Sequence, residues 1–189
     1  GGGGGGGGGG GLNPSTTAAL INCYGQCNQY IKASRLAKAT LNGGKMFGQH
    51  IQKVGGAGNK RAIIMEAMIA TAAASGYTKR ADVYWNMMKA ENLIISPKAY
   101  GHYIRAYWHD SNKDYNTALE IWNQAIDGGI IPSSEGATAV LDIFAALGDI
   151  PNAEATMQIL IQKYLDVDDA AAAAAGGSDN KDRDNADRE

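Results

Sequence analysis

The chain has 189 residues, of which 44% are hydrophobic and 19% charged, and its formal net charge is −2. This composition is typical of one soluble, mostly ordered unit, and the near-neutral charge gives no indication of nucleic-acid binding. Two cysteines exclude a disulfide framework and fit a reducing compartment, and no apolar run approaches the roughly 18 residues that a membrane span needs.

Both ends of the chain are predicted to lie outside the folded part. Residues 1–11 are an unbroken glycine run, which has no side chains to bury and loses much backbone entropy on folding. From Asp168 the chain reads DDAAAAAAGGSDNKDRDNADRE, so residues 168–189 are predicted to form a disordered, solvated tail. The chain starts with glycine rather than methionine, which suggests a fragment or a processed form.

Paired amphipathic helices are predicted between these ends, taken in chain order. The first helix of each pair has apolar residues at i, i+1 and i+4, and the second has small or apolar residues at i, i+3, i+4 and i+7. The first-helix stripes are Leu20, Ile21, Tyr24; Met68, Ile69, Ala72; Tyr103, Ile104, Tyr107; and Val140, Leu141, Phe144. The second-helix stripes are Ala33, Leu36, Ala37, Thr40; Ala81, Tyr84, Trp85, Met88; Ala118, Ile121, Trp122, Ala125; and Ala153, Thr156, Met157, Leu160.

The pairs form a repeat. The leading alanines of the second helices are 48, 37 and 35 residues apart, and the first excess coincides with the glycine-rich residues 42–60, interpreted as an insertion or linker. Gly76 and Gly148 stand where the end of a helix needs a left-handed residue, and prolines precede the third and fourth pairs. The predicted units are approximately residues 14–48, 62–96, 97–133 and 134–167.

A hairpin of about 35 residues with these features resembles the pentatricopeptide repeat family. The resemblance is carried by LINCYGQCNQYIKA, MIATAAASGYTKRADVYWNMM and VLDIFAALGDIPNAEATMQIL, together with the proline-containing connections. It implies an all-α, right-handed α-solenoid of about four helix-turn-helix repeats over residues 12–167. It also implies binding of single-stranded RNA in a mitochondrion or plastid, with one base read per repeat.

The resemblance assigns two base-reading positions to each repeat. The early positions are Ala18, Glu66, Gly101 and Thr138, and the terminal positions are Gly48, Ser96, Ser133 and Asp168. Only Thr138 with Asp168 resembles a base-reading pair of the family. Alanine and glycine have no side chain that can hydrogen-bond a base, and a glutamate at position 66 would repel nearby phosphates.

Cys23 and Cys27 are four residues apart, a spacing that fits half a metal site, a redox-sensitive pair or simple packing. The repeat equivalents of Cys23 are Thr71, Ala106 and Ile143, which bind no metal. We therefore expect both thiols to be buried, reduced and metal-free.

No pattern of catalytic residues or cofactor ligands is visible, so the chain is not expected to be an enzyme or to bind a small molecule. The GGAGNK segment lacks the spacing of a phosphate-binding loop. The aromatic residues assigned to the core are Tyr103, Tyr107, Trp85 and Trp122, together with Tyr100 and Trp108.

Two hypotheses about function remain open. The first is an RNA-binding module in organellar RNA processing, stability or translation. The second is a protein-binding helical scaffold, for example a structural subunit of an organellar ribosome or RNA-processing complex. Clustering of basic residues along the first helices would favour RNA. The residues to map are Lys32, Arg35, Lys79, Arg80, Lys89, Lys98 and Arg105.

Overall fold

The computed structural model describes residues 13–47 and 57–175, and every regular element in these two ranges is an α-helix. The helices are α1 (Pro14–Gln26), α2 (Tyr30–Phe47), α3 (Ala57–Ala74), α4 (Thr78–Ala90), α5 (Pro97–Trp108), α6 (Tyr115–Asp127), α7 (Ser134–Leu147) and α8 (Ile150–Ala175). The all-α prediction is confirmed. In these ranges no helix combines the length and apolarity that crossing a membrane requires.

Several helices begin at a side chain that satisfies a free backbone N–H group. The Asn13 side chain accepts a hydrogen bond from the N–H of the second residue after it, and the Ser96 side chain accepts one from the N–H of the third, both at 3.0 Å. Each of these two residues is followed by a proline. Asp114 does the same for α6, accepting from the Thr117 N–H at 3.2 Å. Proline at the first helical position costs no hydrogen bond, so these starts are encoded locally.

The turns of the first, second and fourth hairpins share one backbone geometry. Gly76 and Gly148 have φ angles of 66° and 69°, as the sequence predicts, and Asn28 occupies the same place in the first hairpin with φ 55°. The next residue donates its N–H back to a carbonyl five residues earlier, as in Tyr77 to Ala72 at 2.9 Å. This arrangement closes the helix end and reverses the chain in a few residues.

The chain divides into two compact units, Gly1–Ile143 and Phe144–Glu189. In the first unit, α1 packs against α2 and α3, α3 against α4 and α5, and α5 against α6. The second helix of a hairpin also packs against the first helix of the next, as α2 does with α3 and α4 with α5. The first unit is therefore a series of stacked helical hairpins. Helix α7 spans the division between the units, and α8 belongs to the second unit.

The predicted stripes are largely buried in the second and third hairpins, whereas in the first hairpin Leu20 is exposed and Leu36 is half-buried. Ala33, Ala81 and Ala118 are fully buried, and the stripe tryptophans Trp85 and Trp122 are each 3% exposed. Burial of these residues removes apolar surface from water and so favours the stacking of hairpins. A single hairpin has no second surface against which to bury its apolar face. The expectation that Ala153 is equivalent is not met, because that residue in α8 is half-buried.

Helical structure extends into two segments that were expected to be irregular. Helix α2 continues to Phe47 and α3 begins at Ala57, so both reach into the glycine-rich residues 42–60. Helix α8 continues to Ala175, through the alanine run of the expected tail, which agrees with the high helix propensity of alanine. The glycine tract 1–11, residues 48–56 and residues 176–189 lie outside the described residues.

The buried alanines provide a test of the repeat register. We expect Ala118→Leu to lower the free energy of unfolding by about 1–3 kcal/mol, because three extra carbon atoms must fit where no space is left. Ala145→Leu, at an exposed position in α7, is the matched control and should change it by less than about 0.5 kcal/mol. Chemical denaturation of both variants measures the difference, and equal small effects would mean that the register is wrong.

Candidate nucleic-acid interface

Three of the early reading positions lie in the first turns of their helices and Glu66 lies at the middle of α3, and the four differ in accessibility. Ala18 in α1 and Gly101 in α5 are buried, Glu66 in α3 is half-buried, and Thr138 in α7 is exposed. A base can be read only by a side chain that reaches solvent and carries a hydrogen-bonding group. Of these four positions, Thr138 alone combines full exposure with a hydroxyl.

In the second hairpin, the early and terminal positions are joined to each other. The Ser96 hydroxyl donates a hydrogen bond to the Glu66 carboxylate and accepts one from the Ala99 N–H at 3.0 Å. Ser96 thus uses its hydroxyl both to begin α5 and to tie α3 to that start. The two side chains that the resemblance assigns to a base are occupied by internal hydrogen bonds.

In the third hairpin the same two positions are again close together. The Ser133 N–H donates to the Pro97 carbonyl oxygen at 2.9 Å, and its hydroxyl donates to Glu135 Oε2 at 2.8 Å. A Cβ atom at Gly101 would clash with the Ser133 hydroxyl. A side chain at position 101 would therefore displace Ser133 and press on the neighbouring backbone, 3.2 Å from the added Cβ, so packing favours glycine there.

Gly101 also meets Gly136, where the helices α5 and α7 approach closely. A Cβ atom placed on Gly136 would be 2.5 Å from Gly101 Cα, well inside the distance that two carbon atoms tolerate. A similar approach occurs between α1 and α3, where a Cβ on Gly25 would be 2.8 Å from the Thr71 hydroxyl oxygen. Near these residues, the faces of the first helices lie in contacts between helices.

The remaining assigned positions give less information. Asp168 lies in α8, where only the backbone of that segment is described, and Gly48 lies outside the described residues. Thr138 belongs to the first compact unit and Asp168 to the second. The base-reading role of this pair stays a prediction.

Charges of both signs lie near the third reading position. His102 has its pKa lowered by burial, an effect that the neighbouring carboxylates Glu135 and Glu66 partly offset. The imidazole is therefore neutral at pH 7. The hydrogen bond from Ser133 lowers the pKa of Glu135, so this carboxylate is ionised. The neutral imidazole itself therefore offers a phosphate no attraction. The other charges that act on this imidazole are positive and belong to Arg105 and Lys98.

The basic residues do not gather on the first helices. Of the seven to be mapped, five belong to second helices: Lys32 and Arg35 on α2, and Lys79, Arg80 and Lys89 on α4. Lys98 and Arg105 are on the first helix α5, and the Arg105 Nε donates to His109 Nε2 at 3.2 Å. These residues therefore do not cluster along the first helices, the arrangement that would favour RNA.

The aromatic residues are used for packing. Trp85 stacks on Tyr103 with ring centroids 4.3 Å apart, and Tyr100 meets the same indole edge-on at 5.0 Å. Asp82 Oδ1 accepts from the hydroxyls of Tyr103 and Tyr107 at 2.9 and 2.8 Å. The core assignment is confirmed for Trp85, Trp122 and Tyr103, whereas Tyr107 is half-buried. None of the buried rings can stack on a base.

The expectation that Cys23 and Cys27 are buried is wrong, since both thiols are exposed. The equivalent residue in the second hairpin, Thr71, is buried because it faces α1 and donates to the Ile21 carbonyl at 3.3 Å. Among the described residues, no first helix precedes α1 to cover its outer face. Within the same residues, no group of three or more potential metal ligands includes the two cysteines.

The sequence analysis missed a cleft between the second helices α2 and α4. Its lining includes Arg35 and Arg80 from the mapped set and Tyr84 from a predicted stripe, but also Lys38 and Tyr30, which were not singled out. The available signal was the three-residue spacing of basic residues that begins at Lys32 and continues through Arg35 to Lys38. No protein-family model matches the chain, and a search of curated proteins finds no relative.

The contact of Gly136 with Gly101 generates the prediction for this site. Gly136→Ala should lower the free energy of unfolding by about 1–3 kcal/mol, because the added methyl group pushes α5 and α7 apart. Helix propensity alone would favour alanine by roughly 0.5–1 kcal/mol, so the sign of the change separates the two effects.

Gly128→Ala is the control for that substitution. Gly128 is exposed, has a negative φ angle of −79°, and its added Cβ would approach only carbonyl oxygens of its own helix, at 3.3 Å or more. Its change should stay within about 0.5 kcal/mol. Stabilisation by Gly136→Ala in a thermal or chemical melt would contradict the close helix approach.

Proposed function

We propose that the chain is a non-catalytic, pentatricopeptide-like α-solenoid that binds protein and acts as a scaffold in a larger assembly. By the family resemblance, that assembly is an organellar ribosome or RNA-processing complex in a mitochondrion or plastid. The proposal is carried by one observation, an exposed apolar stripe on α8. The stripe consists of Ile150, Met157 and Ile161, which are 66%, 43% and 50% exposed.

The three residues lie on one side of α8. Their spacings of seven and four residues repeat at close to two turns and one turn of an α-helix, so the side chains are aligned. In the repeat, Met157 takes the position of Trp85 and Trp122, which are almost fully buried. Helix α8, the second helix of the fourth hairpin, therefore exposes an apolar surface at a position where α4 and α6 are buried.

The repeat indicates what kind of partner this stripe fits. Helices α2 and α4 each pack against the first helix of the following hairpin, α3 and α5. Among the described residues no hairpin follows α8. An apolar helix from a partner protein would bury the stripe in the same way, and exposed aliphatic clusters are typical of protein interaction surfaces.

RNA binding remains the alternative that the family resemblance supplies. Its weakness here is that Ala18 and Gly101 are buried and Glu66 is bonded to Ser96. If the assembly binds RNA specifically, we expect other repeats or partner proteins to read the sequence. The scaffold proposal therefore agrees better with the contacts at the reading positions.

The test is affinity capture from cells of the source organism, with and without ribonuclease, scored by quantitative mass spectrometry. The full chain is compared with the double variant Met157→Glu, Ile161→Glu. Burial of one such side chain is worth about 1.5–3 kcal/mol, so the variant should lose specific protein partners by more than about tenfold. Gln158→Glu, an exposed change on the same helix, should keep them.

Two results would overturn the proposal. One is release of every captured protein by ribonuclease, which would mean that RNA mediates the associations. The other is capture by the double variant at the level of the full chain. Circular dichroism of each variant checks that the helices are intact.

A further inference from the structure

A cleft with a volume of about 440 Å³ lies between α2 and α4, on the side of the hairpins formed by the second helices. This volume is in the range of binding pockets, which is roughly 300–1,000 Å³. The cleft is separate from the base-reading positions, which belong to the first helices and the hairpin ends, and from the apolar stripe on α8. Its chemistry must be considered by itself.

The charged groups of the cleft all have the same sign. Its lining contains Arg35, Lys38 and Arg80, and no acidic residue contributes to the lining that the structure describes. In the described ranges, none of these three cations forms an ion pair with a carboxylate. Three like charges around one depression repel each other and attract an anionic ligand.

One of the cations is held in place by aromatic rings. The Arg80 guanidinium carbon lies 4.1 Å from the centroid of the Tyr30 ring and 4.5 Å from that of Tyr77. The two rings meet edge to face, with centroids 5.7 Å apart. A guanidinium fixed in this way loses less conformational freedom when it binds a carboxylate, which favours binding.

The cleft also has a neutral hydrogen-bond donor. Burial raises the pKa of Tyr30 to about 12, with Tyr84 contributing in the same direction. The Tyr30 hydroxyl is therefore protonated at physiological pH. It lies next to the cations and is hydrogen-bonded within the cleft to Tyr84 and Arg80.

Aliphatic side chains border the same cleft. Ile31 on α2 and Val83 on α4 both line it, and they are 65% and 55% exposed. The two tyrosines that line the cleft, Tyr30 and Tyr84, are by contrast less than a tenth exposed, and Tyr77, which is 44% exposed, does not line it. Accessible aliphatic groups pack against other aliphatic groups but do not stack on nucleobases, which are recognised by exposed aromatic rings. The mixture of cations and aliphatic groups thus fits a protein segment better than RNA.

We propose that the α2–α4 cleft binds an acidic segment of a partner protein. Carboxylates of that segment pair with Arg35, Lys38 and Arg80, and its aliphatic side chains cover Ile31 and Val83. The charge pairs orient the segment and raise its rate of association, and the aliphatic contact buries apolar surface. This inference rests on the proposed role as a protein scaffold and names a second docking surface for it.

The experiment is a titration of the full chain with a fluorescent peptide of alternating glutamate and leucine residues. Two further probes are the same peptide with glutamine in place of glutamate and a single-stranded oligouridylate. We expect the acidic peptide to bind at least about tenfold more tightly than the glutamine peptide, since two or more charge pairs are lost in the latter. The oligouridylate should bind more weakly than the acidic peptide.

Charge-reversal variants show whether the cleft is the binding site. The double variant Arg35→Glu, Lys38→Glu should weaken binding of the acidic peptide by more than about tenfold. The control is Lys32→Glu, Lys89→Glu, which makes the same change in net charge at exposed residues of α2 and α4 that do not line the cleft. The control should weaken binding less than about threefold, the effect of long-range charge alone.

Three outcomes overturn the inference: no preference for the acidic peptide, equal weakening by both double variants, or tighter binding of the oligouridylate that depends on Arg35 and Lys38. These outcomes are distinct from failure of the scaffold role. If partners survive ribonuclease and depend on Met157 and Ile161 while the cleft binds no acidic peptide, only the cleft inference fails. If every partner requires RNA, the scaffold role fails as well.

Discussion

The close approach of first helices is the constraint on which the rest of this structure depends. At Gly101 and Gly136 two helices come so near that neither position can carry a Cβ atom without displacement, and Gly25 meets Thr71 in a comparable way. Interiors are packed at the density of organic crystals, so such contacts cannot be loosened locally. The hairpins then stack with their first helices in contact.

The consequence for function is a conflict between packing and base reading. A reading position needs a projecting polar side chain, whereas the contact of α5 with α7 needs glycine. Glu66 has a suitable carboxylate, but that carboxylate accepts a hydrogen bond from the Ser96 hydroxyl, which also caps the start of α5. Accessible surface with binding chemistry is found instead on second helices. It comprises the aliphatic stripe of α8 in one unit and the cationic cleft of α2 and α4 in the other.

Much of the fold could be predicted because it is encoded by local periodicity. The alanine that opens each second-helix stripe is fully buried in α2, α4 and α6, and left-handed glycines end α3 and α7 as expected. Equivalence between repeats failed in the first and the last hairpin that the structure describes. Cys23 is exposed although its equivalent Thr71 is buried, and Met157 is exposed although its equivalent Trp85 is buried. Burial at a repeat position depends on the hairpin that packs beside it. The residue pattern of a single repeat carries no information about that neighbour. The cleft was missed for a related reason, since it combines residues about 45 positions apart in sequence on two helices.

The central claim is that the reading positions of these hairpins do not recognise bases. It is tested most directly by titrating the full chain against a pool of random single-stranded RNA at two salt concentrations, with sequencing of the bound fraction. The account predicts a Kd no tighter than about 10⁻⁶ M at physiological salt, marked weakening at the higher salt, and no enriched sequence. Nanomolar binding with an enriched sequence that persists at high salt would contradict it.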